Sequence, residues 1–517
     1  MGGSIRRPLL VIASALAVAA LAALVFLIRA GGDPADAAAW PMGWELRSSD
    51  NGPLFQFLQD VVAGRPLDWS FSPQVFVFPE LPLSATAFAI AAGDVYRYYL
   101  VVAALNAGAL FLALLALVRV LRRDEPLGIG VLRALTAMAP LLVLPLVGTT
   151  WMFSFHLAPT YYIGMYLALI ASPVLLLVRT TPVRIATGVA LALTVASNPL
   201  ALVFAGPGLV VVLLLGVVRA GWRATRRPAA WVAGVVLAAG LLRLAFSPLQ
   251  GTSPLTYVDV EVFRGRLAAI GPYFGYQARD PAAAVILSLG IVLAFVCLAA
   301  AVIAALAYSR RDGDSDRRLL AVVYLGLVPL GGLVGTLVVL ITHYYYFWPV
   351  LILPFVLVLL AVPRLAVLTA AASGSAVLLA LAFLTGLTSN LGTVDRYFGY
   401  RNAETVCLDA AVPGQLGYST FSDARRLSLT SASGVRLIQI EANGEPSHWL
   451  TNRAYARSQA GTFFYVNGRG DETALDVRTL SERFGAPDQV RSCSAGQEVW
   501  IYTDPAKRDR IAVFYGA

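Results

Sequence analysis

The sequence predicts an α-helical polytopic membrane protein with a small α/β domain at its C-terminal end. Only 13% of its 517 residues are charged, against roughly 25% in soluble globular proteins. Apolar runs of about 20 residues, each long enough to cross a bilayer as a helix, recur as far as residue 387. Polar and charged residues dominate after that point, so we predict a membrane part at 1–387 and a separate domain at 388–517.

Eleven membrane spans are predicted in the first part. The first follows Arg6 and Arg7 and lacks a persuasive cleavage site, so we interpret it as a retained helix. The Asn198-Pro199 break and the short apolar segment Leu81–Ala92, which we interpret as interfacial or re-entrant, leave the count open by one or two. The spans are predicted at about Pro8–Ile28, Tyr99–Val118, Leu127–Val147, Tyr162–Val178, Val183–Ser197, Ala201–Val218, Ala229–Ser247, Ala282–Ala307, Leu319–Thr342, Phe347–Val362 and Leu365–Leu387.

Arginines concentrate in every second junction between these spans. Such junctions are typical of cytoplasmic loops. We therefore expect a cytoplasmic N-terminus and an extracytoplasmic C-terminal domain in a bacterial-type plasma membrane. The net charge of +9 follows from these junctions and does not indicate a nucleic-acid partner. The basic junctions contain Arg6/Arg7, Arg119/Arg122/Arg123, Arg179/Arg184, Arg219/Arg223/Arg226/Arg227, Arg310/Arg311/Arg317/Arg318 and Arg364.

The acidic residues of the membrane part cluster in the first outer loop, at about 30–98. No acid lies inside a predicted span, which argues against an ion-coupled transporter. Within the loop, apolar residues at helical spacing between Pro53 and Gly64 predict a short amphipathic helix at the membrane surface. The loop acids are Glu45, Asp50, Asp60, Asp68, Glu80 and Asp94.

Two stretches of this loop carry a family resemblance. The first runs from Trp44 through Asp50 to Pro53, and the second is Phe78-Pro79-Glu80-Leu81-Pro82. An early acid, a surface helix and a proline-rich apolar segment together resemble the GT-C superfamily of membrane glycosyltransferases, which includes protein mannosyltransferases and aminoarabinose transferases. The likeness covers about residues 1–120 in pattern. The paired Asp-Asp or Asp-Glu of some members is missing here.

The resemblance implies inverting transfer of a sugar from a polyprenyl-phosphate carrier to an envelope glycan, lipid or protein. It implies Asp50 as the catalytic base and Glu80 as a second acid of the site. The alternative for Asp50 is that it only caps the helix that follows. Two other functions remain open: a flippase or transporter of lipid-linked sugars, and a non-catalytic envelope assembly protein.

The donor phosphate requires cationic partners, and arginine matches phosphate oxygens bidentately. For each candidate the simpler alternative is a residue that faces solvent or lipid headgroups. No Cys/His cluster has metal-ligand spacing, so no metal site is predicted, and a divalent-metal requirement stays open. The phosphate-binding candidates are Arg243, Arg264, Arg266 and His343, with Arg97, His156 and Tyr345 as further candidates.

The C-terminal domain is predicted to combine helices with strands. Cys407 and Cys493 both lie in it and would pair in an oxidising compartment, the alternative being two unrelated thiols. Helical character is predicted at Ala424–Leu429 and Ala474–Phe484, and strands at Val435–Ile440, Thr462–Val466, Val499–Tyr502 and Ile511–Tyr515.

The alternation of arginines generates a topology prediction. A C-terminal alkaline phosphatase fusion should be active and a C-terminal fluorescent-protein fusion dark, because an odd number of spans places the two ends on opposite sides. The reverse pattern would contradict the outward placement of the loop that carries Asp50.

Overall fold

The computed structural model describes residues 2–30, 49–147, 153–159, 162–178, 180–251, 264–265, 268, 270–272, 274–275, 279–310, 316–339, 347–361, 364–394, 397–398, 403–447, 449–455, 461–467, 474–494 and 496–516. Most of these residues are helical, and a five-stranded sheet lies towards the C-terminal end. The helices of the first part are α1 Gly2–Ala30, α2 Pro53–Val62, α3 Glu80–Ile90, α4 Val95–Leu121, α5 Leu127–Val147, α6 Ile163–Leu177, α7 Thr181–Ser197, α8 Leu200–Ala245, α9 Pro281–Arg310, α10 Asp316–Val339, α11 Trp348–Leu351, α12 Leu353–Ala361 and α13 Leu365–Val394.

Six of the described helices are long and apolar enough to cross a membrane. Within the described residues every predicted span overlaps at least one helix, but the count of eleven is not confirmed. Some predicted spans, such as Ile163–Leu177 and Thr181–Ser197, are helices shorter than the usual length of a crossing. The six candidates are Arg7–Ala30, Val95–Leu121, Leu127–Val147, Leu200–Ala245, Pro281–Tyr308 and Leu365–Thr388.

Helix α8 contains two of the predicted spans. Its helical geometry is interrupted at Gly221, whose φ of 74° and ψ of 166° lie outside the helical region. A Cβ on Gly216 would lie 3.1 Å from the side chain of Thr225, so the two arms approach each other closely at the bend. Glycine tolerates the positive φ at the corner without steric cost.

The C-terminal domain is an α/β unit built on a mixed sheet. Strand β2 is parallel to β3 and β5, whereas β5–β7 and β7–β6 are antiparallel, in the order β3-β2-β5-β7-β6. Alternate residues of β5 point to opposite faces, so Phe463 and Phe464 belong to separate apolar cores. The elements are α14 Ala403–Ala411, β2 Leu416–Ser419, α15 Phe421–Thr430, β3 Arg436–Gln439, β4 Thr451–Asn452, β5 Phe463–Asn467, α16 Val477–Phe484, β6 Gln489–Ser494, β7 Gln497–Ile501 and α17 Pro505–Tyr515.

The predicted strand at Ile511–Tyr515 is wrong, because these residues form the end of α17. The Asp504 side chain accepts a hydrogen bond from the Ala506 amide and caps the helix, and proline follows directly after the cap. Gly516 ends the helix in a left-handed conformation with φ 76°. These end signals outweigh the short run of apolar and aromatic residues that suggests a strand.

The first outer loop is joined to the C-terminal domain by a short ladder. Strand β1, Trp69–Ser70, pairs antiparallel with β4. Next to this ladder Arg453 forms a half-exposed ion pair with Asp68 at 2.6 Å, and its amide donates to the Asp68 carbonyl at 2.8 Å.

A buried carboxylate reinforces the same junction. Asp60 of α2 has no exposed side-chain surface, and its oxygens accept hydrogen bonds from both the loop and the domain. The donors and distances are Arg65 Nη1 at 3.1 Å, Arg436 Nη1 at 3.5 Å, Trp69 Nε1 at 3.1 Å, Asn452 Nδ2 at 3.0 Å and the Tyr455 hydroxyl.

Asp60 is buried, whereas Asp68 is half-exposed. We therefore predict that the same substitution has unequal effects at these two positions. Asp60→Asn should lower the free energy of unfolding by about 1–3 kcal/mol, because it removes the shared charge and leaves the buried donors of Trp69 and Asn452 short of an acceptor oxygen. Asp68→Asn, which disrupts the half-exposed pair, should cost about 1 kcal/mol or less. Denaturant unfolding of the detergent-solubilised protein measures both, and equal losses would contradict the role of Asp60.

Candidate functional site

Asp50 lies where the first outer loop meets helix α15. It belongs to a 3-10 turn, Ser49–Asn51, and is half-buried. A Cβ added to nearby Gly52 would lie only 2.4 Å from Leu429 Cδ1, so this part of the loop packs closely against the side chains of α15. Gly52 occupies the N-cap position of α2, so Asp50 lies two residues before the cap, and the alternative that Asp50 only caps this helix stays open.

Arg425 of α15 is the cation beside Asp50. It is almost fully buried, and this burial lowers the pKa of its guanidinium to about 9, although the negative charge of Asp50 acts to raise it. Nη1 donates to Gln56 Oε1 at 3.1 Å, and Nη2 donates to Gln439 Oε1 at 3.1 Å and to the Trp449 carbonyl at 3.2 Å. The guanidinium therefore ties the loop helix to the sheet domain. Its Nε has no hydrogen-bond partner within the described part of the chain.

Sequence reasoning missed Arg425. The phosphate-binding candidates all lie in the membrane part, and no local feature of α15 relates Arg425 to a loop near the other end of the chain. The burial of Arg425, which marks it as a paired arginine, is visible only in the folded structure.

Glu80, the second predicted acid, packs against a different element, the start of α6. Its side chain is buried, and Oε1 accepts a hydrogen bond from the Gly164 amide at 2.9 Å. A Cβ on Gly164 would lie 2.7 Å from that oxygen, so glycine permits the contact. Burial raises the pKa of Glu80 to about 7, and the hydrogen bond from Gly164 opposes the shift. A carboxylate at this position satisfies an amide at the start of α6 and interacts favourably with the helix dipole.

The predicted phosphate-binding residues have separate surroundings. The Arg243 guanidinium donates to the backbone carbonyls of Pro73 at 2.9 Å and Ala196 at 3.2 Å, so it holds the loop against the end of α7. Arg264 and Arg97 are exposed, and the amide of Arg97 donates to Asp94, the N-cap of α4. The described residues do not include Arg266, His343 and Tyr345.

His156 is fully buried in the segment between α5 and α6. Its Nε2 lies 2.7 Å from the Leu141 carbonyl, which can only accept, so Nε2 carries the hydrogen. Burial lowers the pKa of the imidazole to about 4. The ring is therefore neutral at physiological pH and lies with its centroid 6.0 Å from that of Trp348.

Cys407 and Cys493 form a disulfide bond that links α14 to β6, with their Cα atoms 5.5 Å apart. Cys297 is a buried free thiol in α9. Within the described residues, no group of three or more His, Cys, Asp or Glu side chains could hold a metal ion.

No family model matches this chain, and no curated protein shows significant similarity to it. The GT-C resemblance therefore rests on the pattern of about residues 1–120 and, for the rest of the chain, on span count and topology.

The buried carboxyl of Glu80 generates a pH prediction. Its folded pKa of about 7 lies above its ordinary value of 4.5, so the folded protein retains a proton that the unfolded chain loses between these values. Stability due to this group is present at low pH and is lost as the pH rises towards 7. Glu80→Gln removes the titration, so its melting temperature relative to the wild type should rise between pH 5 and pH 8.

The exposed substitution Glu482→Gln provides the control, and its difference from the wild type should stay nearly constant. A Glu80→Gln difference that is the same at both pH values would contradict the raised pKa.

Proposed function

We propose that this chain is an integral-membrane glycosyltransferase of the GT-C type. It transfers a sugar, with inversion, from a polyprenyl-phosphate carrier to an extracytoplasmic acceptor of the cell envelope. The observation that carries the proposal is the position of Asp50, half-buried beside Arg425 where the first outer loop meets the C-terminal domain. The Cys407–Cys493 disulfide supports an outward-facing domain, because disulfides persist in oxidising compartments.

The proposed reaction is a direct displacement at the anomeric carbon. The acceptor hydroxyl forms the new bond to this carbon while Asp50 takes its proton. The bond between the anomeric carbon and the phosphate oxygen breaks, and polyprenyl phosphate leaves with the bonding electrons. Arg425 provides a fixed positive charge beside the base, because three hydrogen bonds hold its guanidinium in place.

The candidate phosphate-binding residues differ in whether their guanidinium groups are free to contact a donor phosphate. Arg264 is exposed and can approach a lipid phosphate from the outer surface. Arg243 already donates to two backbone carbonyls, so we propose that it fixes the position of the loop and does not bind the phosphate. Glu80 supports the same loop through the start of α6.

Loss of the base should affect turnover more than donor affinity. General-base catalysis contributes about 10²–10⁴-fold, so Asp50→Asn should reduce transfer by this factor with little change in donor binding. Asp94→Asn is the matched control, because Asp94 caps α4 and asparagine caps helices equally well. The measurement is steady-state transfer from a panel of polyprenyl-phosphate sugars by purified, correctly inserted protein.

Normal turnover in Asp50→Asn would refute the assignment of the base. A second outcome would also overturn the proposed reaction. If the wild type transfers no sugar from any donor of the panel but moves lipid-linked sugars across the membrane of vesicles, the flippase alternative is favoured.

A further inference from the structure

A second candidate site lies among the helix ends that carry the arginine-rich junctions. A cavity of about 690 Å³ is enclosed by the C-terminal end of α6, the start of α7, the bend of α8 and the adjoining parts of α9 and α10. Ligand-binding pockets commonly have volumes of about 300–1,000 Å³. None of its lining residues belongs to the candidate transferase site.

The cavity lining is basic and aromatic. Two arginines, Arg184 and Arg227, line it together with Trp231, Tyr308 and Tyr324, and among the residues that the structure describes none of the lining side chains is acidic. Two guanidinium groups in a partly enclosed space favour an anion over a neutral ligand.

Two contacts hold the side chain of Arg184 in place. Its Nη2 donates to the Val178 carbonyl, and its guanidinium lies 5.9 Å from the centroid of the Trp231 ring. Its Nε is buried and has no hydrogen-bond partner among the residues that the structure describes. The contacts with Val178 and Trp231 fix the guanidinium of Arg184 in the wall of the cavity.

The bend in α8 brings the second arginine to the same place. The positive φ at Gly221 turns the chain so that the second arm, which carries Arg227 and Trp231, lines the cavity opposite Leu213 and Gly216 of the first arm. Apolar side chains such as Leu176 and Leu213 continue the lining. The cavity thus offers both cationic groups and an apolar wall.

We propose that this cavity binds the phosphate headgroup of an anionic membrane lipid. Arginine pairs with phosphate oxygens through charge-assisted hydrogen bonds, and basic pockets between membrane helices are suited to such headgroups. The apolar wall would contact the start of the acyl chains. Because the arginine pattern predicts that this end is cytoplasmic, the lipid would come from the inner leaflet. The inference does not depend on the proposed sugar transfer.

Native mass spectrometry of the full-length protein in detergent tests the proposal. Phosphatidylglycerol, polyprenyl phosphate and zwitterionic phosphatidylcholine are titrated separately. Arg184→Gln and Arg227→Gln should each weaken binding of phosphatidylglycerol about tenfold, as expected for loss of one charge-assisted contact. Arg364→Gln, which changes an exposed arginine in another basic junction, should bind like the wild type.

Arg227→Gln is the less disruptive of the two substitutions, because the Arg227 side chain is exposed, whereas Arg184 also packs on Trp231. Loss of binding in Arg227→Gln is therefore not explained by misfolding. Binding of polyprenyl phosphate that shows the same dependence on both arginines would support the site and identify the carrier as its lipid. Equal binding of phosphatidylcholine and phosphatidylglycerol, or equal losses in the Arg364 control, would overturn the proposal.

Discussion

The buried carboxylate of Asp60 holds the first outer loop on the C-terminal domain. Moving an ion out of water costs several kcal/mol unless partners replace the lost hydration. Donors from the loop and from the domain together replace it here, so neither part alone can satisfy the charge. The carboxylate thereby fixes α2, and the turn containing Asp50 directly precedes this helix. The position of the proposed base consequently depends on a residue with no proposed chemical role.

Two arginines hold the same loop at different places. On the membrane side Arg243 donates to the Pro73 carbonyl, and on the domain side Arg425 donates to Gln56 of α2. Both use side-chain donors whose partners are mostly uncharged groups, so the contacts are directional and persist when salt screens surface charges. The loop is thus fixed between two parts of the chain that are distant in sequence. Such a fixed support is what a carboxylate needs to act as a base at a defined position.

The helices of the membrane part and most strands of the C-terminal domain could be predicted, because hydropathy and local sequence pattern determine them. Eleven apolar segments fall on described helices, and the strands near Val435, Thr462 and Val499 appear with small boundary shifts. The short apolar run Ile511–Tyr515 suggests a strand, but the Asp504-Pro505 start makes it the end of a helix. The Asp50–Arg425 proximity could not be predicted, because it arises from packing of distant elements and leaves no local pattern. Asp60 appeared only as one loop acid among several, since burial is a property of the fold.

The central claim is that the loop and the sheet domain form one fixed support for the site. Ser70 and Thr451 are directly opposed in the β1–β4 ladder, where Cα atoms lie about 4.5–5.5 Å apart, within the range that a disulfide can bridge. The double variant Ser70→Cys/Thr451→Cys should therefore oxidise readily, with each single variant as a control. The account predicts that the oxidised protein keeps the transfer rate of its reduced form. Failure of the pair to oxidise, or loss of transfer that reduction restores, would show that the two parts must separate and would contradict the account.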